Sequence, residues 1–101
     1  MKHTIAVVRC ESLLSQARGL MFSSKHNLLF VFPSTRRVHL HMWFVFFPIT
    51  VVLLDKKNSV IEVARLNPFT FWSSFKKASR VLEIVDDISV VAGDLIRIVS
   101  K

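Results

Sequence analysis

The run Val38–Leu54, VHLHMWFVFFPITVVLL, limits this chain more than any other feature: seventeen residues pass without a permanently charged side chain. Such a run must leave water, either for a bilayer or for the middle of a folded protein. Its residue types decide between the two. Val, Ile, Phe, Trp and Thr dominate it, and these prefer strands to helices. His39 and His41 interrupt its start, so the unbroken apolar part, Met42–Leu54, is thirteen residues long and short of a spanning helix. Pro48 falls inside it and breaks any continuous element. Arg36-Arg37 and Lys56-Lys57 flank both ends, so no charge asymmetry orients it across a bilayer. Two buried strands meeting near Pro48 are expected, with no membrane insertion.

The rest of the chain follows the same pattern. His3–Val8 reads as a strand, Glu11–Ala17 as one short helix, and Gly19 as its breaker. Leu28–Phe32 is a buried strand ended by Pro33, and Pro33–Arg37 has turn chemistry. Val38–Phe46 and Ile49–Leu54 follow, then the hairpin loop Asp55–Ser59 and a returning strand, Ser59–Leu66. Asn67–Phe71 is irregular and Trp72–Lys77 is expected to form a single helical turn. Ala78–Val85 and Asp94–Val99 complete the set, with Ile96 and Ile98 facing inward and Asp86–Gly93 between. About seven short strands with one short helix predict a mostly β, compact single-domain β-sandwich or barrel over residues 1–101. A 51% hydrophobic composition excludes disorder. The single cysteine, Cys10, excludes an internal disulfide framework. With no signal peptide pattern in Met1–Arg9, a cytoplasmic protein is expected.

Fourteen Lys and Arg against seven acids give a net charge of +7, and residues 1–50 hold +5 of it. Such an excess attracts nucleic acid or anionic lipid over long range, or simply keeps an apolar domain soluble. Phe69, Phe71, Trp72 and Phe75, next to Lys76-Lys77, have the composition of a stacking platform, with Arg36-Arg37 as a second basic pair. The alternative is that these rings plug an open end of the sheet stack.

Chemistry is sparse. His39 and His41 project from one face of a strand and can present two imidazoles to a metal, with His26, Cys10 or Glu83 as third ligands. No second His pair or Cys-x-x-Cys supports this, so a metal-dependent hydrolase on His39 and His41 stands only as an alternative, and no metal or cofactor is expected. Ser23 and Ser24 near His26 lack a nucleophile elbow, and no glycine-rich phosphate loop exists. Asp86-Asp87 reads as a turn cap rather than an acid–base pair. Glu83 and Asp94 sit in apolar strand contexts and need partners, for which Arg18 and Arg80 are candidates. Arg18, His39, His41, Glu83 and Asp94 thus define a possible polar pocket for a small anion or a peptide. Alternatively, Glu83 faces solvent and Asp94 caps the turn after Gly93.

Arg18-Gly19-Leu20-Met21-Phe22 followed by Leu29-Phe30-Val31-Phe32 resembles the opening of family 192 of the domains of unknown function, an uncharacterised prokaryotic family. Val38–Met42, Pro48–Asp55, Val81-Leu82-Glu83 and Gly93-Asp94 match its later motifs in order, so the resemblance spans about residues 4–99. It implies a compact, mostly β fold and no established activity. The chain departs from the pattern at Phe44-Val45-Phe46, where a polar or sulfur-containing centre is usual, and at Thr50, where an acid is usual. Both departures bear on any pocket shared by the family. The expectation is a small non-enzymatic β domain, monomeric or weakly dimeric, that binds a ligand or partner. A basic nucleic-acid-binding module is the alternative.

Overall fold

The computed structural model of the chain describes residues 2–10, 27–41, 47–85 and 88–100, the side chains of residues 8–10, 41 and 100 excepted. Six strands are present among them: β1 (Lys2–Cys10), β2 (Leu28–His41), β3 (Ile49–Leu54), β4 (Val60–Leu66), β5 (Phe71–Ile84) and β6 (Leu95–Ser100). Their lateral order is β4-β3-β5-β2-β1-β6. β1 runs parallel to both its neighbours, and the other pairings are antiparallel. β1 also changes partner along its length. Lys2–Val7 pairs with β6 and Val8–Cys10 with β2, so this strand carries the sheet from one layer into the other.

Side chains alternate along β3: Ile49, Val51 and Leu53 join one apolar cluster, while Val52 and Leu54 join another on the opposite face. All six of its residues are buried. The inner halves of β2 and β5 behave alike, with Leu28 and Phe30 against Leu29, and Val81 against Leu82 and Ile84. A strand covered on both faces must be apolar at every position, which accounts for the unbroken hydrophobic runs. The first cluster is covered by the outer halves of β2 and β5, through Val38, Leu40, Trp72 and Ala78. The second is covered by β1, β6 and the segment before β6, through Ile5, Val7, Val90 and Ile96. The mostly β expectation holds, and Ile96 lies inward as read.

Three details differ from the sequence reading. Leu28–Phe32 and the start of Val38–Phe46 are one strand, β2, because pairing with β5 resumes after Pro33; this reduces seven strands to six among the described residues. Pro33 sits in the register shift between Val31 and Arg36, where the ladder does not need its missing N–H. Trp72–Lys77 is strand rather than a helical turn, since Trp72 pairs with Leu40 and packs on the first cluster. Glu11–Ala17 lies outside the described residues, and no helix occurs among those described. Residues 42–46, the rest of that expected strand, also lie outside them. Among the described residues, no helix is long and apolar enough to cross a membrane.

The Asp55–Ser59 hairpin loop forms as expected. Asp55 Oδ1 accepts the N–H of Lys57 at 2.8 Å and of Ser59 at 2.9 Å, and Asn58 takes a left-handed φ of 64°. Three backbone bonds then dock this end of β4 onto the start of β6. Val60 N–H donates to the Asp94 carbonyl (2.8 Å), Gly93 N–H to the Val60 carbonyl (2.9 Å) and Ile96 N–H to the Asn58 carbonyl (3.0 Å). The two outermost strands of the lateral order meet here, so the sheet closes at one end.

A candidate anion-binding face

β2 and β5 are each fourteen residues long, and their outer halves extend past the part of β5 that β3 covers. In this outer ladder Arg37 faces Lys77, but the next pair is His39 with Ser73. Three residues of β5, Ser74–Lys76, therefore oppose Val38 alone, which makes a bulge. Ser74 is fully buried. Its hydroxyl accepts the N–H of Val38 and donates to the carbonyl of Lys76, both at 2.8 Å, replacing the ladder bonds the bulge removes. Arg37 donates twice to the Ser74 carbonyl, through Nε at 3.1 Å and Nη2 at 2.8 Å. From β4, the Glu62 carboxylate accepts the N–H groups of Phe75 (3.1 and 3.2 Å) and Lys76 (2.9 Å). So anchored, the bulge leaves the Phe75 ring 88% exposed.

Basic residues flank the bulge on both strands. Arg37 and Lys77 are directly opposed across the two strands, an arrangement that costs free energy by like-charge repulsion. Arg36, paired with Ala78, holds its guanidinium 5.2 Å from the centre of the Phe32 ring, a cation–π contact. Phe32 in turn meets Phe30 edge to face at 5.1 Å. Lys76 completes the group, and all four cations are exposed. None of them has a carboxylate ion-pair partner among the described residues. Of the other aromatics in the segment, Phe71 and Phe69 are exposed, while Trp72 is half-buried against the core.

The residues of the expected polar pocket are placed as follows. Arg18 lies outside the described residues. His39 is exposed on the outer ladder, with Nδ1 2.8 Å from the Ser73 hydroxyl; His41 pairs through its backbone with Phe71. Glu83 is 3% exposed at the inner end of β5, level with Leu28 and Val51. Asp94 is buried at the start of β6, where Oδ2 accepts from His3 Nε2 at 3.0 Å and from the Val91 N–H at 3.1 Å. Those bonds, His3 first and then Val91, hold the Asp94 carboxyl down from 3.8 to about 2, against the opposing effect of burial. Asp94 also ties the turn after Gly93 to Val91, through its own N–H as well as its side chain. Arg80 donates to Asn58 Oδ1 at 2.7 Å. His39, Glu83 and Asp94 thus occupy the outer ladder, the inner ladder and the start of β6. Among the described residues, no three His, Cys, Asp or Glu side chains are grouped to hold a metal.

Sequence reading missed Ser74 and Glu62, which shape the site. Both are ordinary strand residues in the sequence, and only the bulge gives them a role.

The profile of the family described as DUF192, an uncharacterized ACR, matches residues 1–98. A UPF0127 protein of Thermococcus sibiricus is 29% identical over 92 residues, covering 83% of this chain and 60% of that protein. A UPF0127 protein of Pyrococcus horikoshii is 29% identical over 76 residues, covering 72% of this chain and 66% of that one. The chain therefore spans about 60% of the length of the first of these relatives. Its fold is similar to the crystal structure of a "putative transcription regulator" from Sinorhizobium meliloti, with a TM-score of 0.70 and 21% identity, over 78% of this chain and 67% of that one. It is also similar to that of a protein of unknown function from Novosphingobium aromaticivorans, with a TM-score of 0.64 and 20% identity, over 79% and 61%. At such identities the structural likeness speaks for the fold alone. The family match covers nearly every residue, in a chain whose motifs run in the family's order from Arg18-Gly19-Leu20-Met21-Phe22 to Gly93-Asp94, and the chain belongs to the DUF192 family.

Proposed function

We propose that the chain is a non-enzymatic binding domain whose outer β2–β5 face takes single-stranded nucleic acid. One observation carries this reading: Phe75 stands 88% exposed on an anchored bulge next to the Arg37–Lys77 pair, and Arg37, Lys76 and Lys77 lack ion-pair partners among the described residues. An exposed phenyl ring offers a face on which any base stacks, worth roughly 1–3 kcal/mol per base. Cations around it neutralise the flanking phosphates, and the repulsion between Arg37 and Lys77 is relieved when an anion lies between them. Bulges re-aim side chains at functional positions, and this one presents Phe75 outward.

The test is fluorescence anisotropy of a labelled oligothymidine titrated with protein at several salt concentrations. With three phosphate contacts, the logarithm of the binding constant should fall with the logarithm of salt at a slope of about −2. Phe75→Ala should weaken binding by about tenfold while leaving that slope unchanged. Arg37→Ala with Lys77→Ala should flatten it by roughly two contacts' worth. A salt-independent signal, or full affinity in the Phe75 variant, would sink the reading.

A further inference from the structure

A cleft of about 380 Å³ opens at the base of this face, between the bend of β2 and the Asp55–Ser59 loop, lined by Thr35, Asp55, Lys56, Lys57, Ile61 and Ser79. We propose that it is a separate binding site for a small phosphomonoester with a hydroxyl-bearing body, such as a sugar phosphate. The site does not depend on Phe75 or on nucleic-acid binding.

The lysines come from a loop whose backbone is held at several points. Asp55 Oδ1 binds two of its N–H groups, Arg80 holds the Asn58 side chain at 2.7 Å, and the Asn58 carbonyl accepts from Ile96. A fixed loop loses little freedom when a ligand arrives. Lys56 and Lys57 both line the cleft and have no ion-pair partner among the described residues, and two ammonium groups suit a dianion. Opposite them, the Thr35 and Ser79 hydroxyls are 2.9 Å apart, and Ser79 is only 5% exposed. Two hydroxyls share one hydrogen bond, which leaves one O–H with no acceptor among the described residues.

Asp55 selects among anions. Its Oδ1 is committed to the loop, whereas Oδ2 has no hydrogen bond to the described residues. A bare anion beside Lys56 and Lys57 is repelled by that carboxylate. A ligand that brings a hydroxyl donates to it instead, and the half-buried Ile61 supplies an apolar wall for the ligand's carbon frame. The combination of two ammonium groups, one carboxylate acceptor and one hydroxyl donor fits a sugar phosphate better than inorganic phosphate.

Amide chemical-shift titration of the whole chain with ribose 5-phosphate, ribose and inorganic phosphate tests this. Ribose 5-phosphate is expected to saturate shifts at residues 35, 55–57 and 79, and to bind at least tenfold tighter than either fragment. Lys56→Ala with Lys57→Ala, both on the surface, should weaken it at least tenfold. Asp55→Asn keeps an oxygen for the loop but removes the charge, so it should narrow the gap between ribose 5-phosphate and inorganic phosphate. Arg37→Ala with Lys77→Ala should bind ribose 5-phosphate as the parent does, whatever becomes of nucleic-acid binding. The proposal is overturned if ribose 5-phosphate does not saturate, if inorganic phosphate binds as tightly, or if the lysine variant keeps full affinity. Equal weakening by the Arg37 and Lys77 changes would also overturn it as a separate site.

Discussion

A carboxylate buried at the start of a strand survives by its donors, and Asp94 has them in the His3 ring and the Val91 N–H. Because those bonds favour the ionised form, the folded carboxyl titrates near 2 rather than at its ordinary 3.8. Well above 3.8 the group is ionised folded and unfolded, and its contribution to stability is complete. As pH falls through that value the unfolded chain takes up the proton first. The contribution then shrinks until it is gone near the folded value. Denaturant midpoints measured from about pH 6 to about pH 2 should show this loss in the parent, and Asp94→Asn should lack that part of the acid dependence. Equal acid sensitivity in the two proteins would show that Asp94 contributes nothing to it.

Among the elements, the outer half of β5 depends on a single hydroxyl. Ser74 is buried, and its Oγ serves both the Val38 N–H and the Lys76 carbonyl across the bulge. Ser74→Ala strands both groups and should cost about 1–3 kcal/mol in denaturant unfolding. Amide exchange at Val38 should speed up more than exchange in β3, which pairs on both sides without that residue. No pattern rule points to this serine. Period-two alternation predicts which residues share a face, but a bulge is a mismatch between two strands, and a single strand does not record it. The same blindness turned Pro33–Arg37 into a turn, when it is a passage of β2 where pairing lapses and resumes.

Across the whole molecule, three backbone bonds between residues 58–60 and 93–96 join the outermost strands of the order. Gly93 makes that approach with a φ of 96°, and a Cβ built there would meet no atom within 4 Å. Space is therefore not what requires glycine; the backbone angle is. Gly93→Ala should destabilise the fold by about 1–2 kcal/mol from strain alone, lowering the melting temperature by roughly 5–10 °C for a domain of this size. Thermal unfolding followed by circular dichroism checks this, and an unchanged melting point would mean that alanine takes this backbone angle without strain.

Alternation, apolar runs and turn residues were enough to mark β3, the Asp55–Ser59 loop, the returning β4 and the inward side of β6, because each follows from neighbours within a few positions along the chain. The basic residues and Phe75 were legible as a composition for the same reason. Their arrangement was not. Arg37 meets Lys77 from forty positions away, Glu62 reaches the Phe75 amide, and Lys56 comes to share a cleft with Ser79, all through pairings that form only when distant strands find their register. Local side-chain chemistry sets what each strand can be, whereas the site depends on which strands lie side by side.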